Sequence, residues 1–313
     1  MLLLNKAAVK KRKPVTREQI RLARAEKLLH LPKKLREKAR TMQRNIKTRE
    51  DLFGHMTQLA YELDRMTPYD WTHKKEGVRT ATETILDKKA DCLEKAILLR
   101  AVFQNLGPLV KRRLGWLVTK NPKGYRGSGL DDIGVHPFVT YKDDGDLYAI
   151  DMCTSRLRKA ETIASMGRTR MSDREFTAFA LGLAGEDLSF THKKHRQALK
   201  TVKRGIKINP NDYVLYCTLG EMHYQLGNDR AAEAAYREAI RIAPDLADPY
   251  IAWGNFRFYT YVDKTWAVQA YTQATQRQTQ DPHLLRQLER KLYHLGLRSL
   301  HKRTKEKKTK SNG

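Results

Sequence analysis

Cys92, His136 and Asp151 are the residues whose types and order suit nucleophilic chemistry on a carbonyl group. A thiolate attacks well, but the reaction also needs a base to take the thiol proton and return one to the leaving group. Histidine does this near neutral pH when a carboxylate orients its ring and stabilises the imidazolium form. The steps are 44 residues from cysteine to histidine and 15 from histidine to aspartate. Such a trio would cleave an amide or thioester through a thioester acyl-enzyme and pass the acyl group to water or to an amine. The Cys92 backbone N–H would serve as one oxyanion donor.

Local sequence says which elements would hold these groups. Asp91 is a good helix N-cap, and Glu94 completes a capping box, so Cys92 is expected at the first position of an apolar helix over 91–106. There the helix dipole favours thiolate, while the Asp91 charge opposes it. The stretches LGWLV, VHPFVTY and LYAID read as strands, and the turn at Lys142–Asp146 makes the last two antiparallel, bringing His136 near Asp151. Each residue also has a plain structural reading. Cys92, Ala96, Leu99, Phe103 and Leu106 form one apolar stripe, His136 suits a place between two strands, and Asp151 suits a turn. Cys153 and Cys217 read as packing residues. His192, His195 and Asp187 form no convincing ligand set, and the Gly-rich segment 124–129 lacks a phosphate loop's lysine and hydroxyl, so neither a metal nor a cofactor is expected.

The stretch TATETILDKKADCLEKAILLRAVFQNLG, with the order and spacing of Cys92, His136 and Asp151, resembles the catalytic segment of the transglutaminase-like superfamily. The resemblance spans residues 76–155 and implies a papain-type α+β fold with these three residues as the catalytic triad. The sequence departs from that pattern at Ala90, Pro137 and Met152. Pro137 cannot donate a ladder hydrogen bond, so an edge strand or a bulge is expected there.

From Asp173 onward the pattern is helical, punctuated by Asn-Pro, Ala-Pro and Asp-Pro pairs. Pro210 and Pro244 stand 34 residues apart, with Leu219, Gly220, Ala232, Tyr236 and Ala239 between them. This resembles the tetratricopeptide repeat, in which small residues let two antiparallel helices approach and aromatics fill the gap. The same offsets recur at Ala198, Val202 and Gly205, and again at Gly254 and, after a one-residue shift at the longer turn FYTYVDKTW, at Ala267, Tyr271 and Ala274. About three repeats are expected, at 179–212, 213–246 and 247–281, with a capping helix over 282–300. The resemblance implies a peptide-binding concave face, with groove positions Val214, Cys217, Glu221, Tyr224 and Gln225, then Asp248, Ile251, Asn255, Phe258 and Tyr259. Those positions lack the Lys/Asn set that clamps a terminal carboxylate.

The expected organisation is therefore a basic arm with amphipathic helices over 1–47, an α+β thiol domain over 48–172, an all-α array over 173–300 and a basic disordered tail over 301–313. The formal net charge is +26, of which residues 1–50 contribute +13 and residues 298–313 contribute +6. Ends of this kind suit nucleic acid or another polyanion, although they lack interleaved aromatics. Three cysteines without a CxxC pair suit a reducing compartment, and no apolar run spans a membrane, so a soluble cytoplasmic protein is expected. Two functions fit. One is a cysteine peptidase, amidase or transamidase whose repeats recruit a protein substrate. The other is a non-catalytic adaptor with a degenerate thiol domain, tethered to a polyanion by its ends.

Overall fold

The computed structural model describes residues 28–68, 79–88, 90–120, 135–151, 154–163, 167–190, 192–261, 264–277 and 282–297. Residues 1–27 of the basic arm and its amphipathic helices, the Gly-rich loop, Met152, Cys153 and the C-terminal tail lie outside them. The chain divides into two compact units whose boundary in sequence falls between Asp173 and Arg174.

The first unit places helices α1 (Lys33–Gln43), α2 (Arg49–Met66), α3 (Ala81–Asp87), α4 (Cys92–Phe103) and α5 (Pro108–Arg113) with a five-stranded sheet. Three of these helices start at capping boxes: Thr48 with Asp51, Thr80 with Glu83, and Asp91 with Glu94. Each box satisfies backbone N–H groups that the first helical turn leaves without partners. Leu52, Met56, Leu59 and Leu63 recur at helical spacing and bury one face of α2. Leu28, Leu29, Leu31, Leu35 and Ala39 are buried too, so the start of the described chain belongs to this core.

The sheet comprises β1 (Leu114–Lys120), β2 (Val135–Asp143), β3 (Asp146–Asp151), β4 (Arg156–Lys159) and β5 (Gly167–Met171), in the order β4-β3-β2-β1-β5, with every neighbour antiparallel. Asp144 and Gly145 both take positive φ, as the two central residues of a tight hairpin turn require. β4 and β5 are not apparent in the sequence, because RLRK and GRTRM carry no apolar alternation. Pro137, expected at an edge or a bulge, lies in β2, the central strand of the sheet among the described residues. β2 pairs with β1 through Pro137, which stands opposite Val118, and with β3 from Val139 to Asp143, and the two residues that follow Asp151 lie outside the described residues.

Beginning at Asp173, the last residue of the first unit, and continuing through the second, α6 (Asp173–Phe190), α7 (His195–Ile208), α8 (Tyr213–Gln225), α9 (Asp229–Ile242), α10 (Ala247–Thr260), α11 (Thr265–Thr275) and α12 (Pro282–His294) form three helix pairs and a final helix among the described residues. Glycine decides how closely each pair approaches. A Cβ on Gly220 would lie 2.7 Å from the Tyr236 ring, one on Gly254 would lie 2.5 Å from Tyr271, and one on Gly185 would lie 2.4 Å from Val202. The glycine–tyrosine contact recurs in the second and third pairs one period apart, and a glycine–valine contact takes its place in the first, which explains the small residues at these helix crossings. Around it pack Ala247, Tyr250, Ile251, Ala267, Tyr271, Ala274, Leu288 and Leu292, all buried, which ties α12 to the last pair.

Candidate active site

Cys92 is the first residue of α4 and is 2% exposed. The Asp91 carboxylate accepts the Glu94 N–H at 2.8 Å, and the Glu94 carboxylate accepts the Asp91 N–H at 3.2 Å. Every residue of α4 is buried, including three charged ones. Buried charge is tolerated only when paired, and each of the three is. Glu94 meets Arg79, Lys95 meets Asp64, and Arg100 reaches Asp173 at 2.6 Å. Burial, reinforced by the Glu94 carboxylate, pushes the Asp91 carboxyl up to about 7.

α4 packs against β2, the strand that carries His136. His136 Nε2 lies 3.1 Å from Asp151 Oδ1, and both residues are 3% exposed. An ionised carboxylate only accepts, so Nε2 carries the proton in this bond. Thr154 Oγ1 donates to Asp151 Oδ2 at 2.8 Å and so holds the other carboxylate oxygen. The Phe138 ring stands edge-on to the imidazole at 4.8 Å, and Thr119 Oγ1 donates to the His136 carbonyl at 3.3 Å.

Two of the three expected residues are thus in hydrogen-bond contact, and the third begins a helix packed on the histidine strand. Sequence reasoning missed Thr154 and Arg79. The Thr154 contact is local, from a hydroxyl three residues after the aspartate. Nothing in the spacing points to Arg79, which stands 15 residues before its partner Glu94.

The expected groove residues of the helical unit divide by burial. Ile251 is wholly in the core and Asp248 is buried, accepting the Tyr213 hydroxyl at 3.2 Å, so neither presents a surface. Glu221 and Asn255, one repeat apart, both accept a tyrosine hydroxyl from the second helix of their own pair, Tyr236 at 3.4 Å and Tyr271 at 2.7 Å. Gln225 donates to Glu221, and Tyr224 packs edge-on to Phe256. Phe258 lies between the Lys264 and Lys291 ammonium groups, and Tyr259 is 62% exposed beside Lys291. Val214 is exposed. Cys217 is half-buried, and burial with Asp248, Asp212 and Glu186 nearby pushes its thiol well above the usual range, which suits an inert packing residue.

Residues 214–246, which hold α8 and α9, match the tetratricopeptide repeat family. This is a protein-interaction repeat, and the run of helices around the match agrees with it. No transglutaminase-like family matches the α+β unit. No curated protein is found to be similar to the chain. Among the described residues, no helix is long and apolar enough to cross a membrane, and no group of His, Cys, Asp and Glu side chains is arranged to hold a metal ion.

Proposed function

We propose that the first unit is a transglutaminase-like thiol enzyme acting on amide bonds of a protein or peptide, and that the tetratricopeptide unit recruits its partner. The observation that carries the reading is the buried His136–Asp151 hydrogen bond, at 3.1 Å, on a strand packed against the helix that Cys92 begins. In the reaction, Cys92 Sγ attacks the carbonyl carbon while His136 Nδ1 takes the thiol proton, and Asp151 stabilises the resulting imidazolium. The tetrahedral intermediate collapses as His136 returns that proton to the leaving amine, and a thioester remains on Cys92. Water then releases an acid, or a lysine amine releases a new amide, with His136 again moving the proton. The Cys92 N–H at the helix start suits the oxyanion.

The test is site-resolved alkylation of Cys92 by iodoacetamide, read by mass spectrometry so that Cys153 and Cys217 serve as internal references. A poised thiolate reacts about tenfold or more faster than a free-cysteine peptide near about pH 6, and His136→Ala removes the advantage. A Cys92 that reacts no faster than the peptide, with His136→Ala indistinguishable, would falsify the enzyme reading. A second reading has its own support. Cys92 sits in a helix buried on every side, which suits a packing thiol in a non-catalytic adaptor. On that reading the repeats bind a protein partner, and the basic ends hold the chain to nucleic acid or another polyanion.

A further inference from the structure

Arg79 is heavily engaged with the first turn of the helix that Cys92 begins, and the proposed reaction gives it no part. It is 6% exposed. Its Nε donates to Glu94 Oε1 at 2.6 Å, its Nη2 donates to Glu94 Oε2, and its own backbone N–H reaches Glu94 Oε1 at 3.3 Å. The third arm, Nη1, donates to Asp87 Oδ2 at the end of α3, at 3.0 Å. Glu94 is 2% exposed, and its carboxylate also accepts the Asp91 N–H. The guanidinium therefore grips, through a single carboxylate, the backbone on both sides of Cys92: Asp91 before it and the first turn of α4 after it.

A lone capping box is a local contact, and helix ends fray. The forked ion pair changes that, because two parallel N–H···O bonds fix the plane of the carboxylate as well as its distance. Once the Glu94 plane is fixed, the Asp91 amide that it accepts is fixed too. The Cα–Cβ direction of Cys92 then follows, since the residue is held between two immobilised peptide groups.

We infer that Arg79 and Glu94 are positioning residues for Cys92, aligning its thiol with His136 rather than merely stabilising α4. The inference rests on the thiol-site reading above and deepens it. Burial of the Asp91 carboxyl supports it, since the same clamp encloses that group.

Positioning and stability separate in a double-mutant cycle, because groups acting through one geometry are non-additive whereas independent effects add. The rate of Cys92 alkylation is measured well below the thermal midpoint for the wild type, Arg79→Lys, His136→Ala and the pair. Lysine keeps the charge but loses the fork. Arg79→Lys is expected to slow Cys92 about tenfold, and His136→Ala is expected to cost less than about twofold in that background, against about tenfold in the wild type. If Arg79→Lys does not fold, Asp87→Asn relaxes the third arm without unpairing Glu94. It should show the same non-additivity at smaller amplitude. Additive effects, or variants as fast and as His136-dependent as the wild type, overturn the clamp and leave the thiol site standing. A wild-type Cys92 that reacts at the free-thiol rate and ignores His136→Ala removes both.

Discussion

Asp91 caps α4 with a carboxylate that its surroundings would rather keep protonated. Its pKa in the folded chain, about 7, lies above the ordinary value of 3.8, so the folded state holds a proton that the unfolded state releases between those values. The resulting stability is full below about pH 4 and is lost as the pH rises through about 7. Asparagine keeps the capping oxygen and cannot ionise. Asp91→Asn should therefore gain on the wild type in thermal midpoint between about pH 4.5 and about pH 8, and a gap that stays constant or reverses would refute this. The capping role of Asp91 is legible in the sequence because a capping box is a contact over three residues. Its altered titration is not, since that depends on burial and on Glu94 being turned to face it. The same holds for His136, whose strand can be read from alternation, while the 3.1 Å contact with Asp151 depends on how two strands end.

At the scale of elements, the helical unit is governed by contacts between neighbours in the chain, and its periodicity shows through accordingly. Gly220 and Gly254 are legible as small residues, and the structure supplies the cause in the tyrosine rings that occupy their faces. A methyl at Gly220 would meet the Tyr236 ring at 2.7 Å from buried neighbours that cannot easily yield. Gly220→Ala should cost about 1–3 kcal/mol in denaturant unfolding despite alanine's better helix propensity, and an unchanged or raised midpoint would count against this packing. The groove was less legible. Spacing places Ile251 and Asp248 beside Asn255, but helix packing turns the first two into the core and gives Asn255 to Tyr271. In the α+β unit, α4 and the apolar strands follow from pattern. β4 and β5 do not, because short basic strands are recruited by a sheet edge rather than by their own hydrophobicity.

At the scale of the molecule, the +26 charge is concentrated in the two ends of the sequence. If those ends serve a polyanion, oligonucleotide binding should fall steeply with salt and disappear on removal of residues 1–47 and 298–313. Salt-insensitive binding by the remaining body would refute that. The features legible in the sequence are short-ranged: the capping box of Asp91 and Glu94, the hairpin turn between Lys142 and Asp146 and the repeating glycines of the helix pairs. These depend on residues within a turn or one repeat of each other. Tertiary structure alone decided that β2 is the central strand, that α4 is buried on all sides with its charges paired, and that Arg79 reaches Glu94. Each of these is a match between distant segments, set by which surfaces must leave water together and which buried charges must then find partners.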